Sequence, residues 1–452
     1  MKSSLMKISL CVLIGALVWT LAPGEPMLKN GLVIFALIGM LWITQAIPIV
    51  VTALLVPLLA ILSGLLSPKS ALSSFSNPII FLFLGGFALA AALSNQGLDK
   101  KLASSVMRMS GGNKLRAILL ICAVTAFMSM WISNTATTAM MIPVALGFMR
   151  TTLAPETEPS DTGSSYKEKA FILLALAYSA SIGGMGTLIG SPPNAIAAAE
   201  TGISFLQWML FGIPLMLLLL PVMLLTLFLV FRPNLRGSVD VKHVPMNWTR
   251  EKIITLCIFL LTVLLWIFSA PLSSLLGIQA DIDAVIAIFA ILLLIVSKSV
   301  SWGQIEMNGN WGVLILFGGG ITLSEVMKKS EASLFLANGL VSVTEGIPPA
   351  LVLLMLIAFV VLLTELVSNT ASAALLIPIF TVISPQLGLS SQSMAAVIAI
   401  CASCAFMLPV ATPPNAIVYA TGDVSQGTMM RCGAWLNAVC ILTIYLVSQL
   451  VG

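Results

Sequence analysis

The sequence predicts an all-α polytopic membrane protein built from two inverted repeats, and three observations carry that prediction. Only 8% of the residues are charged, where a soluble domain carries about a quarter. Apolar runs of about 20 residues, the length that crosses the hydrocarbon core of a bilayer, recur from end to end of the 452-residue chain. Two of these apolar regions are interrupted by the same tripeptide. Ser133-Asn134-Thr135 opens SNTATTAMMIPV and Ser368-Asn369-Thr370 opens SNTASAALLIPI, twelve-residue segments that share seven identities.

In chain order, apolar segments at 8–23, 30–47, 49–66 and 78–96 come first. Lys2 and Lys7 followed by an apolar run resemble a signal peptide, but no small-residue cleavage site follows, so 8–23 reads as the first transmembrane helix. The next pair, 117–132 and 136–149, is split at the first SNT. Limbs of about 14–18 residues are short for a span. They read as a re-entrant hairpin turning back at mid-membrane, where irregular backbone survives only inside protein or beside a wet cavity. Spans follow at 168–188, 204–231, 253–276, 280–297 and 311–327. The pair 349–367 and 371–386, split at the second SNT, repeats the hairpin, and 391–410 and 430–451 close the chain. The count is about eleven transmembrane helices plus two re-entrant hairpins.

Charge orients them. With the N-terminus inside, the loops 97–116, 150–169, 232–252, 297–310 and 421–431 and the N-terminal residues hold seventeen of the 21 Lys and Arg. Only Lys29, Lys69, Lys328 and Lys329 fall outside, the asymmetry of a positive-inside topology. The C-terminus is then outside, and the hairpins enter from opposite faces. The net charge of +4 belongs to these loops and implies no nucleic-acid partner.

The repeat extends beyond SNT. Upstream, Leu84-Gly85-Gly86 matches Phe317-Gly318-Gly319, each followed by an amphipathic stretch (98–116 and 325–346) expected along the interface. Downstream, Ser191-Pro192-Pro193-Asn194-Ala195-Ile196 matches Thr412-Pro413-Pro414-Asn415-Ala416-Ile417. The halves are 78–231 and about 311–452, the first carrying an extra polar loop near 151–167. Inverted repeats with interrupted helices at matching positions are the signature of a secondary transporter with a midplane site. The stretch 232–310 between them shows no distinctive chemistry, and Asp281 and Asp283 read as acids at a helix start.

The chemistry of such a site follows from the residue types. Each SNT precedes a helical limb whose first N–H groups face the tripeptide. Two facing half-helix N-termini make an anion site without Lys or Arg, while carbonyl, amide and hydroxyl oxygens suit a hard cation such as sodium. The Pro-Pro pairs remove donors and break the helix, leaving carbonyls beside Gly190 and Ala411 as further cation ligands and exposing Ser191 and Thr412. Glu365, three residues before the second SNT where the first half has Met130, is an intramembrane acid that reads as a structural brace. The seven Cys lie in apolar segments without metal-ligand spacing, and the Cys401–Cys404 pair reads as core. His243, the single His, sits in a basic loop. An enzyme would need a nucleophile with a base, paired carboxylates or metal ligands, and the chain lacks that equipment.

The paired SNTA motifs, the SPPN and TPPN breaks and the inverted hairpins resemble the divalent anion/sodium symporter (DASS) family, relatives of the INDY dicarboxylate transporters, across essentially the whole chain. The resemblance implies a homodimer in the lipid bilayer, in a bacterial cytoplasmic (inner) membrane. It also implies a scaffold (1–116 and 232–348) and a mobile transport domain (117–231 and 349–452) that moves as an elevator. It maps substrate ligands onto Ser133, Asn134, Thr135, Ser368, Asn369 and Thr370, with Ser191, Thr412 and Pro413 nearby. A first sodium site maps to Ser129, Ser133, Asn134 and Gly190, and a second to Thr364, Val367 (through its carbonyl), Asn369 and Ala411. The implied function is sodium-coupled uptake of a C4 dicarboxylate such as succinate, fumarate or malate, with sodium as coupling ion and no organic cofactor. A sodium-independent exchanger, or a sodium-coupled citrate or sulfate transporter on the same machinery, stays open.

Overall fold

The computed structural model describes residues 2–98, 109–152, 162–235, 248–278 and 282–451, and among them all regular structure is helical. His243, Asp281 and most of the first amphipathic stretch lie outside the described residues. The chain opens with α1 (Lys2–Leu21), α2 (Pro26–Thr44), α3 (Ile49–Leu62), the short α4 (Pro68–Ser73) and α5 (Pro78–Asn95). Proline in the first turn of α2, α4 and α5 supplies a helical φ where no N–H partner is needed. Leu5, Leu10, Leu13, Leu17 and Leu21 of α1 are all exposed, the surface of a helix that faces lipid rather than water.

The first hairpin is α6 (Lys114–Ser129) and α7 (Asn134–Thr152). It is followed by α8 (Thr162–Gly183), two 3-10 turns over 184–190, α9 (Pro192–Thr201) and α10 (Phe205–Phe231). Thus α8 already takes in the last residues of the polar loop expected near 151–167. Next come α11 (Arg250–Ile267), α12 (Ser269–Leu275), α13 (Asp283–Val296) and α14 (Trp302–Asn308). The sequence reads 253–276 as one span, but α11 and α12 meet at 75°. Pro271 cannot donate to the carbonyl of Ile267 and its ring clashes there, which ends the helix. Asp283 does begin a helix, yet it is buried rather than interfacial, and its Oδ2 accepts from the Phe205 amide at 2.8 Å.

The second half mirrors the first. It runs α15 (Trp311–Lys329), α16 (Ala332–Val343), hairpin α17 (Pro349–Thr364) and α18 (Asn369–Ile383), α19 (Ser391–Ser403), α20 (Pro413–Tyr419) and α21 (Gln426–Val451). Four residues link the limbs of each hairpin, with the same backbone bonds. Trp131 and Ile132 donate to the Met128 carbonyl, and Leu366 and Val367 donate to that of Leu363. Among the described residues, seven helices are long and apolar enough to span a membrane alone, or eight counting the α11–α12 pair. Shorter apolar helices accompany them: 5–21 of α1, and α3, α13, α16, α17 and α19.

Glycines at the start of both repeats are packing devices, and their contacts pair Gly85 with Gly319 and Gly86 with Gly320, one residue off the sequence match. A Cβ on Gly85 would sit 2.6 Å from that of Ala287, and one on Gly319 2.7 Å from that of Ala53, so α5 closes on α13 and α15 on α3. Gly86 faces Ile189 at 3.3 Å and Gly320 faces Ala374 at 3.1 Å, which brings each repeat's first helix against the hairpin-and-break region. One polar tie crosses the same boundary. Glu200, at the end of α9, accepts from Ser324 Oγ at 2.5 Å and pairs with Lys328, both on α15.

Candidate substrate and sodium site

Both tripeptides lie at hairpin tips and face one cavity of about 190 Å³. Its lining includes all nine residues expected around the substrate: Ser133, Asn134 and Thr135; Ser368, Asn369 and Thr370; Ser191; Thr412 and Pro413. The geometry has a simple cause. Ser133 and Ser368 end the links, Asn134 and Asn369 open α7 and α18, and the prolines open α9 and α20. Helices therefore present their N-terminal, partially positive ends to one space. The Pro-Pro pairs thus act less as breaks in a continuing helix than as the start of a new one. Ser133 Oγ accepts from the Ala136 amide at 3.3 Å and Thr412 Oγ1 from that of Asn415 at 3.4 Å. Ser368 makes no side-chain cap bond, and Ser191 Oγ instead lies 3.4 Å from Ser403 Oγ of the other half.

The expected sodium ligands form a second layer. Gly190, Asn134, Ser133, Asn369 and Ala411 line the cavity, whereas Ser129, Thr364 and Val367 are buried behind it. Ser129 Oγ lies 2.7 Å from the Ala180 carbonyl and 2.6 Å from Asn134 Oδ1. Thr364 Oγ1 repeats this at 2.7 Å from the Ala402 carbonyl and 2.9 Å from Asn369 Oδ1. With the Asn134 amide set so that its donors meet acceptors, its NH2 reaches Ser129 Oγ at 2.6 Å and the carbonyls of Gly190 and Ala180 at 3.2 Å each. Three oxygens therefore converge beside this side chain. Their common point can be served by the amide's own N–H groups or, with Oδ1 turned inward, by a hard cation that needs several oxygen ligands. The donor set fits sodium.

Glu365 is a brace, as its position suggests. Its Oε1 accepts from the amides of Phe406 and Met407 at 2.7 and 2.9 Å and from Asn437 Nδ2 at 2.7 Å, and Oε2 accepts from the Leu408 amide at 3.1 Å. The loop that delivers Ala411 is thereby tied to the hairpin tip. Cys401 and Cys404 are buried free thiols.

Sequence reasoning missed the far wall: Phe83 and Phe87 of α5, and Asn310 and Val313 at the start of α15. Phe83 packs edge-on against Phe317 at 4.8 Å. These residues belong to no polar motif, and only their offsets from the matched glycines could have placed them. Among the described residues, no Lys or Arg lines the cavity.

Comparison with known proteins agrees with this architecture. Residues 39–401 match the family described as citrate transporter (CitMHS). The chain is 46% identical over 429 residues to an uncharacterized transporter of Haemophilus influenzae, covering 93% of this chain and 91% of that one. It is 35% identical over 432 residues to the sodium-dependent dicarboxylate transporter SdcS of Staphylococcus saprophyticus, covering 90% and 82%. Among solved structures, the YdaH transporter of Alcanivorax borkumensis, reported to have an unusual topology, superposes with a TM-score of 0.58. It is 15% identical and covers 84% of this chain and 86% of its own, a likeness of fold. These are multi-pass transporters and not enzymes, and the chain belongs with them, in the citrate transporter and divalent anion/sodium symporter family.

Proposed function

We propose that the chain couples inward sodium movement to uptake of a C4 dicarboxylate such as succinate, fumarate or malate. The observation that carries this reading is the pairing of one Lys- and Arg-free cavity, faced by helix N-termini, with matched oxygen clusters behind each tripeptide. Hydroxyls, amides and helix N-termini solvate two carboxylates but do not neutralise them. Carrying an uncompensated dianion across a low-dielectric barrier is prohibitive. Sodium at Ser129, Ser133, Asn134 and Gly190, and at Thr364, Val367, Asn369 and Ala411, offsets that charge and draws on the sodium gradient. An exchanger working without sodium would call for a fixed cation in the cavity. The volume, below the ~300–1,000 Å³ of pockets for drug-sized ligands, suits a small solute.

In this reading the protein is a homodimer in the bacterial cytoplasmic membrane, N-terminus inside and C-terminus outside. Parts 117–231 and 349–452 carry the site past a scaffold of 1–116 and 232–348. Gly86 and Gly320 let these parts approach closely at Ile189 and Ala374 without interlocking side chains from the glycine side. The test is uptake of radiolabelled succinate into proteoliposomes under an inward sodium gradient, with citrate and sulfate as competitors. Uptake should collapse when choline replaces sodium. Equal uptake in choline refutes sodium coupling, and preferential inhibition by citrate or sulfate over C4 acids refutes the substrate assignment.

A further inference from the structure

We propose that Asn194 and Asn415, the last residues of the SPPN and TPPN motifs, are the positioning residues of the two sodium sites. The inference rests on the sodium-coupled reading and adds residues to it that touch neither substrate nor ion. Both side chains are fully buried, and each is the third residue of its helix.

Each amide does the same work. Asn194 Nδ2 donates to the carbonyls of Gly184 at 2.8 Å and Thr187 at 2.7 Å. Asn415 Nδ2 donates to those of Ala405 and Leu408 at 3.0 Å each. In both halves the acceptors lie ten and seven residues upstream. The carbonyl next to the first acceptor is also held from outside the loop. Trp208 Nε1 donates to Met185 at 2.9 Å, and the Tyr178 hydroxyl donates to Phe406 at 2.6 Å. Three carbonyls of each connecting segment, two 3-10 turns in the first half and irregular backbone in the second, are therefore fixed by side chains. At this depth an unpaired peptide group is costly, and a neutral amide with two donors satisfies two carbonyls without adding charge.

What the loops carry makes this more than structural satisfaction. Gly184 lies against the first oxygen cluster: a Cβ there would be 2.4 Å from Asn134 Oδ1 and 2.9 Å from the Gly190 carbonyl oxygen. Thr187 Oγ1 accepts from the Gly190 amide at 3.2 Å and donates to the Met130 carbonyl at the hairpin. Asn194 thus grips the two loop residues that set Gly190 against Asn134. In the second half, Leu408 takes the Ala411 amide at 3.2 Å as well as the Asn415 side chain. Glu365, next to Thr364, holds the amides of 406–408. Asn415 therefore fixes from the carbonyl side the loop that Glu365 fixes from the amide side. A cation site binds well only when its ligands are held by such supporting bonds.

The experiment uses the full-length protein with Asn194→Ala and Asn415→Ala, and with Asn194→Ser and Asn415→Ser should the alanine variants fail to fold. The first readout is the sodium concentration giving half of the maximal thermal stabilisation, without dicarboxylate and with choline keeping ionic strength constant. The second is sodium half-saturation and maximal rate of succinate uptake. Loosened sodium loops should raise half-saturating sodium at least about tenfold in both readouts, equivalent to about 1.4 kcal/mol, while the rate at saturating sodium stays near wild type. Variants that melt earlier yet respond to the same sodium concentration as wild type overturn the proposal and leave symport standing. A wild-type protein whose stability and uptake ignore sodium overturns both.

Discussion

Gly184→Ala puts the oxygen cluster behind the first tripeptide under direct mechanical test. Gly184 has an ordinary negative φ, so alanine meets no backbone penalty, and any effect must come from contact. Its Cβ would stand 2.4 Å from Asn134 Oδ1 and 2.9 Å from the Gly190 carbonyl oxygen, against an ordinary contact of at least 3.4 Å. Asn134 would have to yield by 1.0 Å and Gly190 by 0.5 Å, and the latter is backbone held through Thr187. Overpacking of this kind costs about 1–3 kcal/mol. Charged to sodium binding, that is roughly a five- to 150-fold rise in half-saturating sodium. The assay is a sodium titration of succinate uptake in proteoliposomes, paired with a sodium titration of thermal stability. A folded Gly184→Ala protein with unchanged sodium half-saturation would show that Asn134 and Gly190 do not hold the ion.

Three further substitutions probe other parts of the account. Thr364→Val keeps the shape but removes a buried hydroxyl bonded at 2.7 Å to the Ala402 carbonyl. With that carbonyl orphaned, a cost of about 1–3 kcal/mol should again raise half-saturating sodium, and unchanged sodium dependence would remove Thr364 from the second site. Glu365→Gln can keep an oxygen for Phe406, Met407 and Asn437 but removes its charge and sets an NH2 group against the Leu408 amide. Hydrogen bonds to a charged group carry about 1.5–3 kcal/mol, so the melting temperature should fall, and an unshifted one would refute the bracing role. Glu200→Gln weakens the tie from α9 to Ser324 and Lys328 on α15. At the matching place in the other half, Asn95 bonds Ser299 and Gln304 instead, so the Glu200 tie has no counterpart there among the described residues. Thiol labelling of a Thr135→Cys reporter from the cytoplasmic side should fall in Glu200→Gln and recover in the charge swap Glu200→Lys with Lys328→Glu. Identical labelling in all three would show that the pair does not bias the conformation.

Much of this architecture was legible because polarity is scarce in the chain. In a sequence so apolar, a Ser-Asn-Thr repeated at the same place in two halves has few explanations; it led to the hairpin tips and six cavity residues, and the paired Pro-Pro motifs with the family resemblance led to Ser191, Thr412 and Pro413. The residues that remained hidden are those whose role is geometric. Phe83 and Phe87 resemble any lipid-facing aromatic until α5 is seen to wall the cavity. The carbonyls of Ala180 and Ala402 have no side-chain signature at all. The bend at Phe268 could have been found, since Pro271 lies within the run. Asn194 and Asn415 stood inside a recognised motif, but their grip on carbonyls ten and seven residues upstream depends on how the loop folds back.

The central claim is that sodium and a dicarboxylate share one site between the two tripeptides, and equilibrium binding tests it without the complication of transport. Radiolabelled succinate is titrated against purified protein while choline replaces sodium at constant ionic strength. Because coupling between two bound species is reciprocal, succinate affinity should fall by at least about tenfold, roughly 1.4 kcal/mol, as sodium is withdrawn. The same measurement on Asn134→Ala and Asn369→Ala should show little binding at any sodium concentration. Succinate that binds equally tightly in choline, or undiminished in both variants, would contradict the account.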